Sequence, residues 1–216
     1  MSDSSDPGAG KDRAFVNGLA RGLRVLASFS PEHNRMSLGD LAKATGLPKS
    51  TVARLVHTLV ETGYVYVCPD SGRYSLHPKV LTLGYPVMAS MDKRLVALPM
   101  MQELADYSRG TVSLGIRDGL SMILIERSRD RTVRALPLDI GSRIPMETTS
   151  MGHAYFAAAE PAEQNGILDQ FKTHDPARFK DVERTLRAAE KEYAKKGYCT
   201  AVGIWEDDVN AVGVAV

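Results

Sequence analysis

Between residues 49 and 57, five side chains that donate hydrogen bonds or carry positive charge, Lys49, Ser50, Thr51, Arg54 and His57, fall on one side of a helical pattern, and no acid joins them before Glu61. A helix that only had to stay in water more often carries paired Glu and Lys there. Donors and cations without acids suit phosphate oxygens and the acceptor atoms of guanine and adenine; for the helix alone, an ordinary solvated face is the competing explanation. A second place for chemistry is the hydroxyl run Thr148, Thr149, Ser150, fed by the loop at 140–145. A helix starting there offers unpaired N–H groups and a partial positive charge, a natural seat for a small carboxylate. The competing reading is that these residues only cap the helix, as such residues usually do. The histidines, His33, His57, His77, His153 and His174, include no pair at metal-binding helix spacing with a third ligand. Cys68 and Cys199 are too far apart for a metal spacing or a disulfide framework, and Cys199 reads as a small buried hydrophobe. With no nucleophile elbow, phosphate loop or dinucleotide fingerprint, no catalytic residue, metal or cofactor is expected.

The elements that must position the first set of donors lie around it. Ser37 is placed as an N-cap, with Asp40 three residues later completing a capping box, and Leu38, Leu41 and Ala42 give that helix an apolar face. Gly46 allows the left-handed turn that ends it, and Pro48 suits the first position of the next helix. There Val52, Leu55, Val56 and Leu59 form the buried stripe opposite the donors. After Gly63, short strands at 64–67 and 74–76 flank a turn at 69–72, so a helix pair is followed by a small hairpin, the winged-helix arrangement. Arg73 sits beside the hairpin tip, within reach of a phosphate or the minor groove. Before the pair, residues 17–29 form a bracing helix, with Leu19, Leu23, Leu26 and Ala27 placed to cover it. Arg21 and Arg24 project elsewhere.

Composition sets the wider limits. The chain has 216 residues, 44% hydrophobic and 25% charged, room for one large or two modest domains of ordinary globular character. Residues 1–12 are small, polar and turn-forming and read as a disordered tail. Net charge is only +1, but residues 11–80 hold ten Lys and Arg against five Asp and Glu, so the positive charge is concentrated around the helix pair. The start lacks the basic and apolar segments of a signal peptide, and no apolar run approaches the roughly 18 residues of a membrane span. A cytoplasmic protein without a membrane partner is expected. Residues 79–97 resume a helical, strongly apolar pattern, a linker helix that Pro86 would kink or split; its surplus apolar face packs on a partner chain or on the following domain. From 98 onward the pattern runs helix 99–107, strands 111–116, 121–126 and 132–136 with a hairpin turn at 117–119, then helices 150–159, broken by Pro161, and 181–195. Strands followed by helices with hairpin links indicate an α+β domain on an antiparallel sheet.

Residues 18–84, with GLARGLRVLASF, SLGDLAKATGLPKSTVARLVHTLVETGYV and DSGRYSLHPKVLTLG, resemble the N-terminal domain of the IclR family of bacterial transcriptional regulators. IGSRIPMETTSMGHAYFAA, KKGYC and VNAVGVAV resemble that family's effector-binding domain, and the ordered set spans nearly the whole chain. The resemblance implies a winged helix-turn-helix over 13–78, a linker helix over 79–97 and a GAF-like effector-binding domain over 98–216. It also implies a homodimer or tetramer that binds a pseudo-palindromic operator and answers to a small organic acid. On the same basis Arg21 and Arg24 lie near the phosphate backbone, as against being simply solvated. Ser150 and Met151 fall at ligand-contacting positions beside Thr149, Val133 lines the pocket, and Ala211 stands where some members carry a cysteine. Departures from the family pattern are Ser150 and Met151 in place of two small residues, His153 in place of Lys or Arg, and Ala201 in place of an aspartate. They imply a more apolar pocket, suited to an aromatic or aliphatic acid. The family's domain normally continues for a further strand or two and a closing helix beyond Val216, so the effector domain is expected to be truncated here. The other expectations are a winged-helix module for protein contacts, which the cationic face of 49–57 disfavours, and a truncated regulator without ligand response.

Overall fold

The computed structural model describes residues 14–132 and 136–216. The tail expected at 1–12 and most of the strand expected over 132–136 lie outside the described residues. The chain divides between Ser90 and Met91 into two compact units.

In the first unit, the elements are α1 (Asn17–Leu26), α2 (Leu38–Thr45), α3 (Lys49–Glu61), β1 (Val65–Val67), β2 (Tyr74–Leu76), a 3-10 turn (Pro78–Val80) and α4 (Leu81–Ala89). Ser37 caps α2: its Oγ accepts from the Asp40 N–H at 3.2 Å, and its own N–H donates to Asp40 Oδ2 at 2.9 Å, which satisfies two end donors at once. Gly46 takes φ 68° to end α2. Pro48 is the cap of α3 and not its first residue, with its carbonyl accepting the Val52 N–H at 3.0 Å. Gly63 and Tyr64 close α3 by donating to the carbonyls of Val60 and Leu59, at 2.9 and 2.8 Å, with Gly63 at φ 77°, a conformation an L side chain resists. β1 and β2 pair antiparallel with Val65 opposite Leu76, and Met36 adds a bridge to Tyr74.

This unit's core is Val25, Met36, Leu41, Val52, Val56 and Val65, with Leu26, Leu55 and Leu59 packed around it. Burial of each such side chain is worth about 1.5–3 kcal/mol over exposure. The bracing role expected of Leu19 and Leu23 is corrected: they are 63% and 54% exposed, and Ala27 is also exposed. α1 rests on the pair through Val25 and Leu26 because the face that repeats at three and four residues inward is 22, 25, 26 and 29.

The second unit contains α5 (Asp92–Ser108), β3 (Thr111–Asp118), β4 (Ser121–Arg129), β5 (Arg143–Pro145), α6 (Ser150–Ala158), α7 (Pro161–His174), α8 (Phe179–Lys196), β6 (Cys199–Val202) and β7 (Asn210–Gly213). Three expectations change. The linker helix of 79–97 is interrupted at Ser90 and Met91, and its second half runs unbroken through Pro99 as α5. Residues 143–145, expected as loop, form the third strand of the sheet β3-β4-β5. Pro161 does not merely end a helix: it occupies the first turn of α7, where its missing N–H costs nothing.

A bulge shapes the central strand. Leu114 pairs with Glu126 and Gly115 with Leu124, leaving Ile125 as the extra residue of β4. Met122 and Leu124 therefore face the core with Phe156, Ile167, Leu168, Phe171 and Leu186 of α6, α7 and α8. Beyond the bulge the alternation is reversed. Glu126 turns to α5, where its carboxylate meets Arg94 Nη1 at 2.6 Å, and Arg127 falls on the Leu124 side. β6 and β7 form a separate antiparallel hairpin, Cys199 opposite Gly213 and Ala201 opposite Ala211.

Candidate nucleic-acid interface and effector site

α3 carries Val52 and Val56 inward and leaves Lys49, Ser50, Arg54 and His57 exposed, with Thr51 half-buried. Among the described residues none of these five side chains has a hydrogen-bond or ion-pair partner. Free cations and hydroxyls on a helix held by its neighbours on the opposite face can approach an anionic groove without first breaking contacts. Arg21 and Arg24 are exposed on α1. Arg73 is different: its Nη1 lies 3.2 Å from Asp40 Oδ2 and 3.2 Å from the Arg35 carbonyl, and Arg35 in turn meets Asp70 at 2.7 Å. The hairpin is thus laced to α2 and to the segment leading into it by one exposed ion pair each, which salt would weaken. At the far end of α3, Lys79 donates to the Thr62 carbonyl at 2.8 Å and lies 4.8 Å from the centre of the Tyr64 ring. That cation sits at a helix C-terminus, where the dipole favours it.

The first turn of α6 is built in the opposite way. Thr149 is its cap: Oγ1 donates to the Pro145 carbonyl at 2.6 Å and accepts from the Gly152 N–H at 3.3 Å. Ser150 is buried behind the last hairpin, where a Cβ on Gly213 would come within 2.2 Å of the Ser150 carbonyl. Met151 lies across Gly115 of β3, its sulfur 2.3 Å from where a Cβ would stand. A Cβ on Gly152 would meet the Met146 backbone at 2.3 Å. The turn is therefore enclosed by β3, β7 and the residues leading into α6. His153 is buried, and its Nε2 lies 2.9 Å from the Glu147 carbonyl, which can only accept, so Nε2 carries the proton. Ala211 is in the middle of β7, opposite Ala201. Val133 lies outside the described residues. Among the described residues the N–H groups of Ser150 and Met151 have no acceptor, the kind of unpaired pair at a helix start that an anion can take.

A side chain that sequence reasoning passed over is Arg127. Its Nη1 donates to the Leu136 carbonyl at 3.2 Å, while its Nε is buried without a partner among the described residues. With Arg129 and residues 136–139 it lines a crevice of about 390 Å³. Only the bulge at Ile125 puts it there, and no local pattern signals that bulge.

Comparison with known proteins assigns the chain. Residues 18–67 match the model of the IclR helix-turn-helix domain, and residues 86–216 match that of the bacterial transcriptional regulator IclR C-terminal domain. The chain belongs to the IclR family. An IclR-family regulator from Brucella abortus, solved as a crystal structure, is 40% identical over 95% of this chain and 78% of its own, with a TM-score of 0.84. Two transcriptional regulators are similar to the chain over most of their length. One is the HTH-type transcriptional regulator TsaQ1/TsaQ2 of Comamonas testosteroni, 30% identical over 94% of this chain and 73% of that protein. The other is the HTH-type transcriptional regulator XynR of Escherichia coli strain K12, 29% identical over 92% and 84%. As in an IclR regulator, the N-terminal unit here is a helix-turn-helix and the C-terminal unit an α+β effector domain. Among the described residues no three His, Cys, Asp or Glu side chains converge as a metal would need, and no helix is long and apolar enough to cross a membrane.

Proposed function

We propose that this IclR-family chain is a ligand-controlled regulator that binds a pseudo-palindromic operator as a homodimer or tetramer and answers to a small carboxylic acid. The observation that carries the reading is the row of unpartnered donors on α3, Lys49, Ser50, Thr51, Arg54 and His57. Such a helix enters the major groove with these side chains toward the base edges, while Arg21, Arg24 and the hairpin with Arg73 lie toward the backbone. Pairing of two copies is supported by apolar side chains left in water on α4 and α5: Leu81, Tyr85, Val96, Met100 and Tyr107 are each more than two-thirds exposed, more than a solvated helix needs. Two copies would place their recognition helices about one or two DNA turns apart. The Lys79 contact ties the start of α4 to the end of α3, so a shift of α4 would move the recognition helix. The acid would bind in the C-terminal unit, near Thr149, Ser150, Met151, Val133 and Ala211, and shift the population between DNA-binding and free forms.

The test is to mix the purified protein with fragmented genomic DNA at moderate salt and sequence what stays bound. A few fragments sharing an inverted repeat are expected. Equal recovery of all fragments, lost as salt rises, would mean non-specific attraction alone, and would return the winged helix to a role in protein contacts or to a regulator that has lost its response.

A further inference from the structure

We infer that the crevice between β4 and residues 136–139 is a carboxylate site, in which the Arg127 guanidinium takes the acid group and Leu136, Pro137 and Leu138 take the organic body. The inference rests on the reading of the C-terminal unit as an acid-binding domain, and it names the group that reads the charge.

Three observations carry it. Arg127 is a half-buried cation with only part of its donor set used: Nη1 has the Leu136 carbonyl, and Nε and Nη2 have nothing among the described residues. A carboxylate in the crevice that accepts from Nη2 would give this partly desolvated cation a charge-assisted partner. Next, the crevice has the size and lining for such a ligand. About 390 Å³ suits a small aromatic or aliphatic acid, with Arg127 and Arg129 on one wall and the Leu136, Pro137, Leu138 segment on the other. Asp139, the acid at its rim, already accepts from the Ile140 N–H at 2.8 Å. Burial pushes the Arg127 pKa down, against the opposing pull of Asp139, the mark of a cation that would gain from an anionic partner. The third observation is topological. Arg127 pairs with Ser113, two residues from the Gly115 on which Met151 rests, so the crevice continues the sheet face that the first turn of α6 covers. Its carboxylate reader would thus lie one pleat beyond the unpaired amides of Ser150 and Met151.

The same strand turns this site toward the linker. The Glu126 carboxylate accepts from the backbone N–H of Arg127 at 2.9 Å and holds Arg94 of α5 at 2.6 Å. A ligand that repositions Arg127 would act on the residue beside it, which grips α5 on the opposite face.

The test is calorimetric titration of the full chain with benzoate and hexanoate, and with benzamide as the uncharged counterpart, in the wild type and in Arg127→Met and Arg127→Lys. At least one acid is expected to bind, with benzamide weaker by about tenfold or more, as loss of a charge-assisted pair predicts. Arg127→Met should bring the acid down to the level of benzamide, and Arg127→Lys should keep part of the preference. Thermal unfolding of each variant separates lost binding from lost folding, and the acid-to-amide preference of the wild type needs no variant. Equal binding of acid and amide, acid binding unchanged in Arg127→Met, or no binding of either acid by the wild type at millimolar concentration would overturn the inference. Acid binding through Arg127 that leaves affinity for a recovered DNA fragment unchanged would instead uphold the crevice and remove ligand control from the proposed function.

Discussion

The two helices that carry the candidate sites, α3 and α6, use polar side chains in opposite ways. On α3 the hydroxyls and cations stand in water with nothing to hold, and the fold depends only on the other face, through Val52 and Val56. At the start of α6 the side chains are enclosed by the fold: Thr149 bonds at both ends, Met151 fills the space over Gly115, and Ser150 is closed in by Gly213. A surface that meets a large partner can stay unpaired because water satisfies it until the partner arrives. A site inside a small domain must be satisfied by its own chain, so at α6 the same residue types hold the fold first and any ligand second. Substitutions should therefore separate, with those on α3 moving binding and those at α6 moving stability.

The largest effect is expected at Gly152. An alanine there would put its Cβ 2.3 Å from the Met146 carbonyl oxygen and 2.4 Å from its Cα. Backbone against backbone has no rotamer to change, so the cost should reach about 3 kcal/mol, the upper end for overpacking, and exceed the about 1 kcal/mol that alanine returns in a helix. A Gly152→Ala protein that melts like the wild type would show that the first turn of α6 is not enclosed. Next in size, Arg54→Ala should weaken binding to a selected DNA fragment by about 1–3 kcal/mol, or lower the salt slope by about one if the side chain meets a phosphate. Its unfolding midpoint should not move, since surface changes without partners stay within about 0.5 kcal/mol. A drop in stability as large as the drop in affinity would erase the contrast between the two helices.

The same contrast governs what the sequence could tell. α2 and α3 were legible because each carries its own punctuation within a few residues: Ser37 with Asp40, then Gly46, then Gly63 with Tyr64. The donor face followed from helical spacing alone. α7 is also written locally, in Gln164, Ile167, Leu168 and Phe171 at helix spacing; reading Pro161 as a stop hides it, because here the proline starts the helix. Other features rest on partners distant in the chain. That Arg73 holds Asp40, 33 residues away, follows from hairpin register. That α1 buries Val25 while Leu19 and Leu23 stay exposed depends on which face the pair presents to it. Around α6, Gly115, Met146 and Gly213 come from three separate segments, and Arg127 reaches its crevice only because Ile125 is left out of the ladder. Caps and periodicities are properties of a stretch; enclosure and register belong to the whole unit.

A smaller effect tests the cap that braces the DNA-facing pair. Ser37→Ala removes the Oγ that accepts from Asp40 N–H and leaves the Asp40 carboxylate with one donor fewer. A cost of about 1 kcal/mol is expected in denaturant unfolding. Because Asp40 also holds Arg73, the hairpin should loosen with it, and Arg73→Ala in the Ser37→Ala background should then cost less than it does alone. Strict additivity would mean that cap and hairpin are independent.

The smallest effect lies at the end of α8, where Glu192 joins that helix to β6. Its Oε1 accepts from Lys196 at 2.9 Å and from the Thr200 hydroxyl at 2.8 Å, and Oε2 accepts from the Thr200 N–H at 3.2 Å. The Lys196 bond first, then those of Thr200, hold its pKa down to about 2 from an ordinary 4.5. A carboxylate with a depressed pKa adds stability that is complete above pH 4.5 and lost as pH falls toward 2. The lysine arm is solvated, so at neutral pH the contribution stays below about 1 kcal/mol. β6 pairs with β7, whose Gly213 backs onto Ser150, so protonating Glu192 should loosen the enclosure of α6 while α3, in the other unit, is untouched. Acid titration followed through Trp205, the chain's one tryptophan and a residue packed on the second unit's core, should show a limb across that window that flattens in Glu192→Gln. An unchanged limb in that variant would place the acid sensitivity elsewhere and leave β6 anchored by its pairing with β7 and by Cys199 packed on Ala154 and Ala189.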